Sequence, residues 1–194
     1  QKEAAVLSRM ILKYEKPKHH TFCGGKTEDV ILLCNRNNRQ ITARQIQTGE
    51  VSMLAGGVRI QGADLQEIAK IRTWQELLFP LHGKVEREYT AEAAAQTVWN
   101  TEIMELLQSL HEEKGAFLFR IEYKGSLDER KKSEFVKKTA SLLEEKSERM
   151  LINSISDYEI EIRIVESKKG GYLPFLRLYT MEDERFVYRK ESIA

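Results

Sequence analysis

Cysteine is scarce: only Cys23 and Cys34 occur in 194 residues, too few for a disulfide framework. Nothing at the N-terminus has the basic-then-apolar layout of a signal peptide, and a reducing cytoplasmic setting fits best. Long apolar runs are missing too. The longest, Val30 to Cys34 and Leu77 to Leu81, fall far short of the roughly 20 residues needed to cross a bilayer, so no membrane partner is expected. There is also no excess of one charge. Lys plus Arg number 31 against 30 Asp plus Glu, so no global field draws in nucleic acid and any RNA site has to be local. What the chain does have is 41% hydrophobic and 31% charged residues, enough for a folded core and too much for a disordered segment.

Catalytic constellations are as scarce as cysteine. Gly24-Gly25-Lys26-Thr27 has the tail of a phosphate-binding loop, but the first glycine of that motif would fall at His20, and a strand rather than a helix follows. His19, His20, Cys23 and Cys34 carry zinc-ligand chemistry in a spacing that matches no standard framework, and a solvated loop with ordinary thiols explains them. The pairs Glu86 with Glu88 and Glu159 with Glu161 place carboxylates on one face of extended segments, as a glycosidase would need; solvated strand edges explain them more simply. No catalytic residue and no metal site are therefore expected. Trp74 and Trp99 sit among apolar residues, where a large aromatic usually serves the core.

The periodicity falls into two parts. Lys2 to Tyr14 reads as a helix, Val30 to Leu33 as a strand, Thr42 to Gln47 as a short helix, and Asp64 caps a helix running to Lys70 ahead of a strand from Leu77 to Leu81. After Tyr89, a polar, Ala-rich stretch passes into one helix whose stripe is Trp99, Ile103, Leu106, Leu107 and Leu110. Phe117, Phe119, Ile121 and Tyr123 then alternate with Leu118, Arg120, Glu122 and Lys124 as a strand. A helix from about Asp128 to Arg149 follows, with Leu151 to Ser156 as a turn. Tyr158, Ile160, Ile162 and Ile164 alternate again, and Tyr172 to Thr180 adds another strand. Strand, long helix, strand is a βαβ unit with parallel strands. The chain starts at Gln1 and stops at Ser192-Ile193-Ala194 without cap or turn chemistry, which is expected of a piece of a longer protein.

This order, with Phe117-Leu118-Phe119-Arg120-Ile121, Leu151-Ile152-Asn153-Ser154 and Tyr158-Glu159-Ile160-Glu161-Ile162-Arg163, resembles a THUMP domain. Residues 1–89, with Ile41-Thr42-Ala43-Arg44-Gln45 and Leu77-Leu78-Phe79-Pro80, resemble the ferredoxin-like segment that precedes THUMP in class I RNA methyltransferases, although the opening strand of that segment is not visible in the sequence. Phe186 to Ala194 resembles the linker into the methyltransferase domain. The expected class is α+β: a partial ferredoxin-like unit over 1–89, a THUMP-like α/β unit with a mixed sheet over 90–190, and the start of a linker over 191–194. The resemblance implies binding of RNA, through the acceptor end of tRNA, and a catalytic domain of the same parent chain that uses S-adenosylmethionine. The Gly-rich loop and the Asn/Asp-Pro-Pro-aromatic motif which that chemistry needs do not occur, so no cofactor is expected in this portion.

The candidate RNA surface is Lys124, Gly125, Ser126, Arg130, Lys131, Lys132, Lys137 and Lys138, where lysines meet phosphates and free amides at the loop and helix start give directional donors. Arg177, with Arg185 and Arg189, stands late in the chain, where guanidiniums pair with phosphate or with carboxylates of an adjoining domain. Lys168 and Lys169 precede Gly170-Gly171 and most simply make a soluble hairpin turn. The plainer alternative is that the helix lysines form a solvated face balanced by Asp128, Glu129, Glu134, Glu144 and Glu145. The chain would then be a protein-interaction module. THUMP units also precede thiouridine-forming and pseudouridine-forming domains, so a different tRNA-modifying parent stands beside the methyltransferase.

Overall fold

Alternating apolar residues need a covered face, and strands with that pattern join others edge to edge in one sheet of eight among the described residues. The computed structural model describes residues 19–81 and 90–182; the helix expected over Lys2 to Tyr14, the Glu86–Glu88 pair, Arg185, Arg189 and the linker-like tail lie outside them. In chain order the elements are β1 (Lys26–Leu33), α1 (Arg39–Gln45), β2 (Glu50–Leu54), β3 (Gly57–Asp64), α2 (Leu65–Ala69), β4 (Glu76–Pro80), α3 (Ala91–Val98), α4 (Thr101–Ser109), β5 (Phe117–Lys124), α5 (Glu129–Lys146), β6 (Leu151–Asn153), β7 (Ile160–Glu166) and β8 (Tyr172–Leu178). The sheet runs β2-β3-β1-β4-β8-β7-β5-β6.

The first four strands are all antiparallel to their neighbours and follow the βαββαβ order of a ferredoxin-like unit. The strand read over Val30 to Leu33 is the latter half of β1, which takes the opening place in this unit, so the expectation that an opening strand is missing is corrected. β1 starts at Lys26, ahead of the apolar run, because Lys26 and Thr27 pair with Asp64 and Ala63 of β3. Asp64 caps α2 by accepting from the Gln66 N–H at 3.1 Å. Trp74 is a core residue, 1% exposed, and its indole N–H donates to the Ile68 carbonyl.

In the second half β5 runs parallel to both β6 and β7, and β7 is antiparallel to β8, which makes the sheet mixed. The α+β class is as expected. Phe117, Phe119 and Ile121 of β5 and Ile160, Ile162 and Ile164 of β7 are buried, and α5 packs against β5 and β6 and buries Ala140 and Leu143. Full burial of each such side chain contributes roughly 1.5–3 kcal/mol. Two local expectations are corrected. The single helix through Trp99 is two helices, because Trp99 is extended and the Asn100 side chain caps α4 by accepting from the Ile103 N–H. The expected turn after α5 begins as strand β6, too short at three residues for a period to be read.

The halves join where Leu78, Phe79 and Pro80 of β4 pair with Arg177, Leu176 and Phe175 of β8. The segment before β1 also leans on the second half: the Cys23 N–H donates to the Leu110 carbonyl, and the Glu112 N–H to the Thr21 carbonyl. His20 is not in a solvated loop. Its ring stacks on Phe117 with centroids 3.7 Å apart, and Nδ1 lies 2.8 Å from the Glu159 carboxylate.

Candidate nucleic-acid interface

Parallel pairing brings the carboxyl ends of β5 and β7 to one end of the sheet, with Lys124 opposite Val165. From there the chain passes through Gly125, Ser126 and Leu127 into α5, and through Ser167 to Gly171 into β8. Asp128 caps α5 by accepting from the Lys131 N–H at 2.9 Å. The second loop turns on Gly170 and Gly171, which have φ of 92° and 71°, a region that glycine enters without steric cost. Lys124, Arg130, Lys131, Lys168 and Lys169 are all exposed on these loops and the first turn of α5.

Two hydrogen bonds hold the loops together. The Glu166 carboxylate accepts from the Ser126 N–H at 2.6 Å and from the Ser126 hydroxyl at 3.0 Å. The amide of Ser126, expected to be free for phosphate, is therefore engaged, as is that of Leu127, which donates to the Tyr123 hydroxyl at 3.2 Å. The exposed cations here stand beside the exposed carboxylates of Asp128, Glu129 and Glu166. Further along α5, Lys132 is half-buried, while Lys137 and Lys138 are exposed about 10 Å on from Arg130 and Lys131 at the helical rise. Lys138 pairs with Glu92 of α3 at 2.6 Å, a loose surface contact with little hold.

Arg177 is the site residue whose surroundings differ most from expectation. Its Nε and Nη2 donate to the two carboxylate oxygens of Glu182, and Nη1 donates to Glu76, each at 2.9 Å. Although burial opposes the charge, the Glu182 and Glu76 carboxylates push its pKa further up. The guanidinium is spent inside the chain rather than held out for phosphate. Its neighbours continue the pattern across the sheet. Arg163 Nη1 donates to Glu76 at 2.7 Å and Nε to Glu161 at 2.9 Å, and Arg120 Nη2 donates to Glu161 at 2.7 Å. Burial pushes the Glu76 carboxyl up, but the Arg163 hydrogen bond and the Arg177 charge outweigh it and hold the group below the usual range.

Glu159 and Glu161 are thus not on solvated strand edges; they are 1% and 0% exposed. Their oxygens are bonded, those of Glu159 by His20 and Leu118 and those of Glu161 by Arg120, Tyr179 and, along its own strand, Arg163. A cavity of about 410 Å³ opens between the ends of β1 and β4 and the start of α4, lined in part by Lys26, Asp29, Asn100, Glu102 and Leu106. Its two glutamates, Glu102 and Glu105, with Asp29 make it a poor seat for an anion. Among the described residues, no group of three or more His, Cys, Asp or Glu is arranged to hold a metal, and no helix is long and apolar enough to cross a membrane. Sequence reasoning missed Glu166 altogether, since nothing in a strand-end glutamate signals a partner 40 positions away.

No family model matches the chain, and no curated protein sequence does. Among solved structures, TrmN from Thermus thermophilus is similar over 76% of this chain and 45% of that one, at 13% identity and a TM-score of 0.52. The likeness is one of fold. A 4-thiouridine synthetase in complex with RNA and ATP is similar over 77% of this chain and 41% of that one, at 15% identity and a TM-score of 0.49. PH1313 from Pyrococcus horikoshii Ot3 is similar over 78% and 54%, at 14% identity and a TM-score of 0.46. The chain spans between 41% and 54% of the length of these structures.

Proposed function

We propose that this chain is the RNA-binding portion of a larger cytoplasmic tRNA-modifying enzyme. Residues 1–89 and 90–190 would together grip structured RNA at the acceptor end of tRNA, and a C-terminal domain of the same parent, reached through a linker from 191, would methylate it with S-adenosylmethionine. One observation carries the reading. Exposed Lys124 at the end of β5, Arg130 and Lys131 in the first turn of α5, and Lys168 and Lys169 in the β7–β8 hairpin come together at one end of the sheet, where they outnumber the exposed Asp128, Glu129 and Glu166. Lysine suits the sugar-phosphate backbone, which it meets as a point charge without reading sequence. The resemblance of the segments around Phe117 and Tyr158 to THUMP supports RNA as the polyanion. The choice of methyl transfer over thiouridine or pseudouridine formation rests on the methyltransferase-like first half and tail.

A filter-binding titration with a tRNA transcript at low and moderate salt tests this. Contact by most of these cations gives a log–log salt slope on the order of −3 to −5. Binding that is absent at low salt, or indifferent to salt, overturns the reading in favour of a protein-interaction module.

A further inference from the structure

We propose that Glu166 is a positioning residue for this phosphate-binding surface: it clamps the β5–α5 loop to the β7–β8 hairpin so that their cations act as one patch. The inference rests on the reading above for the ligand and on geometry for the clamp. A carboxylate is an unexpected neighbour for such a surface, because it repels the very anion the lysines attract. Yet Glu166 does not neutralise a lysine; among the described residues its oxygens bond Ser126, one taking the backbone N–H and the other the hydroxyl. Both bonds reach from the last residue of β7 to a loop 40 positions earlier, so they fix the loops relative to each other rather than shaping either one alone.

Gly125 gives independent support. Its backbone does not have a positive φ, so no conformational demand requires glycine there. A Cβ would instead collide with the Tyr123 hydroxyl and come within 2.7 Å of Glu166 Oε2. The residue is small because Tyr123 and Glu166 close over it. Tyr123 in turn accepts from the Leu127 N–H, and its hydroxyl lies 3.4 Å from that of Tyr172 at the start of β8; Asp128 accepts from the Lys131 N–H, so the turn from Gly125 to Lys131 is held in one shape and tied to the hairpin through Glu166 and through the Tyr123–Tyr172 contact.

A charge argument and a positioning argument predict opposite signs, which makes the clamp testable in the full chain. If Glu166 were only a surface charge, E166A would strengthen RNA binding. As a clamp, E166A weakens binding of a tRNA transcript by about fivefold to tenfold at fixed salt, since freed loops must be ordered on binding. E166Q keeps both bonds, its carbonyl accepting the Ser126 N–H and its amide donating to the Ser126 oxygen, and binds at least as tightly as the unmodified chain. G125A, which crowds Glu166 from the other side, weakens binding as E166A does. Tighter or unchanged binding by E166A, or equal weakening by E166Q, overturns the proposal. Hydrogen exchange at the Ser126 amide reads the clamp without RNA: faster exchange in E166A and not in E166Q supports it, and unchanged exchange in E166A overturns it. Absence of RNA binding by the unmodified chain, with that exchange pattern intact, would instead sink the functional reading while leaving the clamp in place.

Discussion

His20 and Glu159 lie 139 positions apart in the chain, and their side chains meet at 2.8 Å. The same carboxylate also accepts from the His20 N–H at 2.8 Å and from the Leu118 N–H at 3.0 Å. One buried glutamate thereby satisfies groups from the segment before β1 and from the start of β5.

Glu159→Ala should consequently be costly. It strands two backbone donors and a histidine in a site that is 1% exposed, at about 2–4 kcal/mol from the loss of charge-assisted bonds and the burial of unpaired groups. Urea unfolding with an unchanged m-value would register the loss; a midpoint like that of the unmodified protein would contradict this account.

Arg177→Ala separates stability from binding. Removing the guanidinium takes from Glu182 its two-point ion pair and from Glu76 one of its two arginines, in a half-buried site, which should destabilise the protein by about 3 kcal/mol. Because the side chain is spent internally, RNA affinity measured below the melting transition should stay within about twofold. Lys131→Ala should do the reverse, lowering the salt slope by about one while barely moving the melting temperature.

His111 sets a pH dependence. Burial lowers its pKa below 6.5, outweighing the hydrogen bond to the Leu107 carbonyl. As pH falls through 6.5 the unfolded chain takes up a proton that the folded chain refuses, so stability declines until the folded pKa is passed. In His111→Gln the fall in melting temperature just below pH 6.5 should be shallower. An identical pH profile in both proteins would show that His111 does not titrate differently on folding.

Glu113 acts at lower pH. Its carboxylate accepts from the Thr21 N–H and hydroxyl, which hold its pKa near about 2 against 4.5 for the unperturbed group. Its stabilising contribution is complete above pH 4.5 and disappears as pH falls toward 2. Glu113→Gln should lose part of the acid sensitivity of unfolding in that window, followed by circular dichroism across an acid titration.

Much of this was legible because it is local. The β5 alternation is seen in its burial, with Phe117, Phe119, Ile121 and Tyr123 in the core; α5, the Asp64 cap and the Gly170-Gly171 turn each follow from a few adjacent residues. The candidate cations could be listed for the same reason. What escaped depends on partners far away. Glu159, Glu161 and Arg163 alternate with isoleucines as a solvent face would, and only cross-strand neighbours such as Glu76, 87 positions from Arg163, make that face a buried ionic layer. Arg177 looked available for the same reason, and Glu166 carried no local sign of its tie to Ser126.

The β4–β8 pairing sets an order of completion. Residues 78–80 acquire their outer neighbour only when residues 175–177 are in place, so in a chain made from its N-terminus the ferredoxin-like unit is finished long before its flank is covered. Until then Leu77, Leu78 and Phe79 border an open row of backbone donors and acceptors, the kind of margin that recruits strands from other molecules. Truncation ahead of β8 would leave the first unit with that margin permanently bare, and such a fragment is the one most prone to self-association.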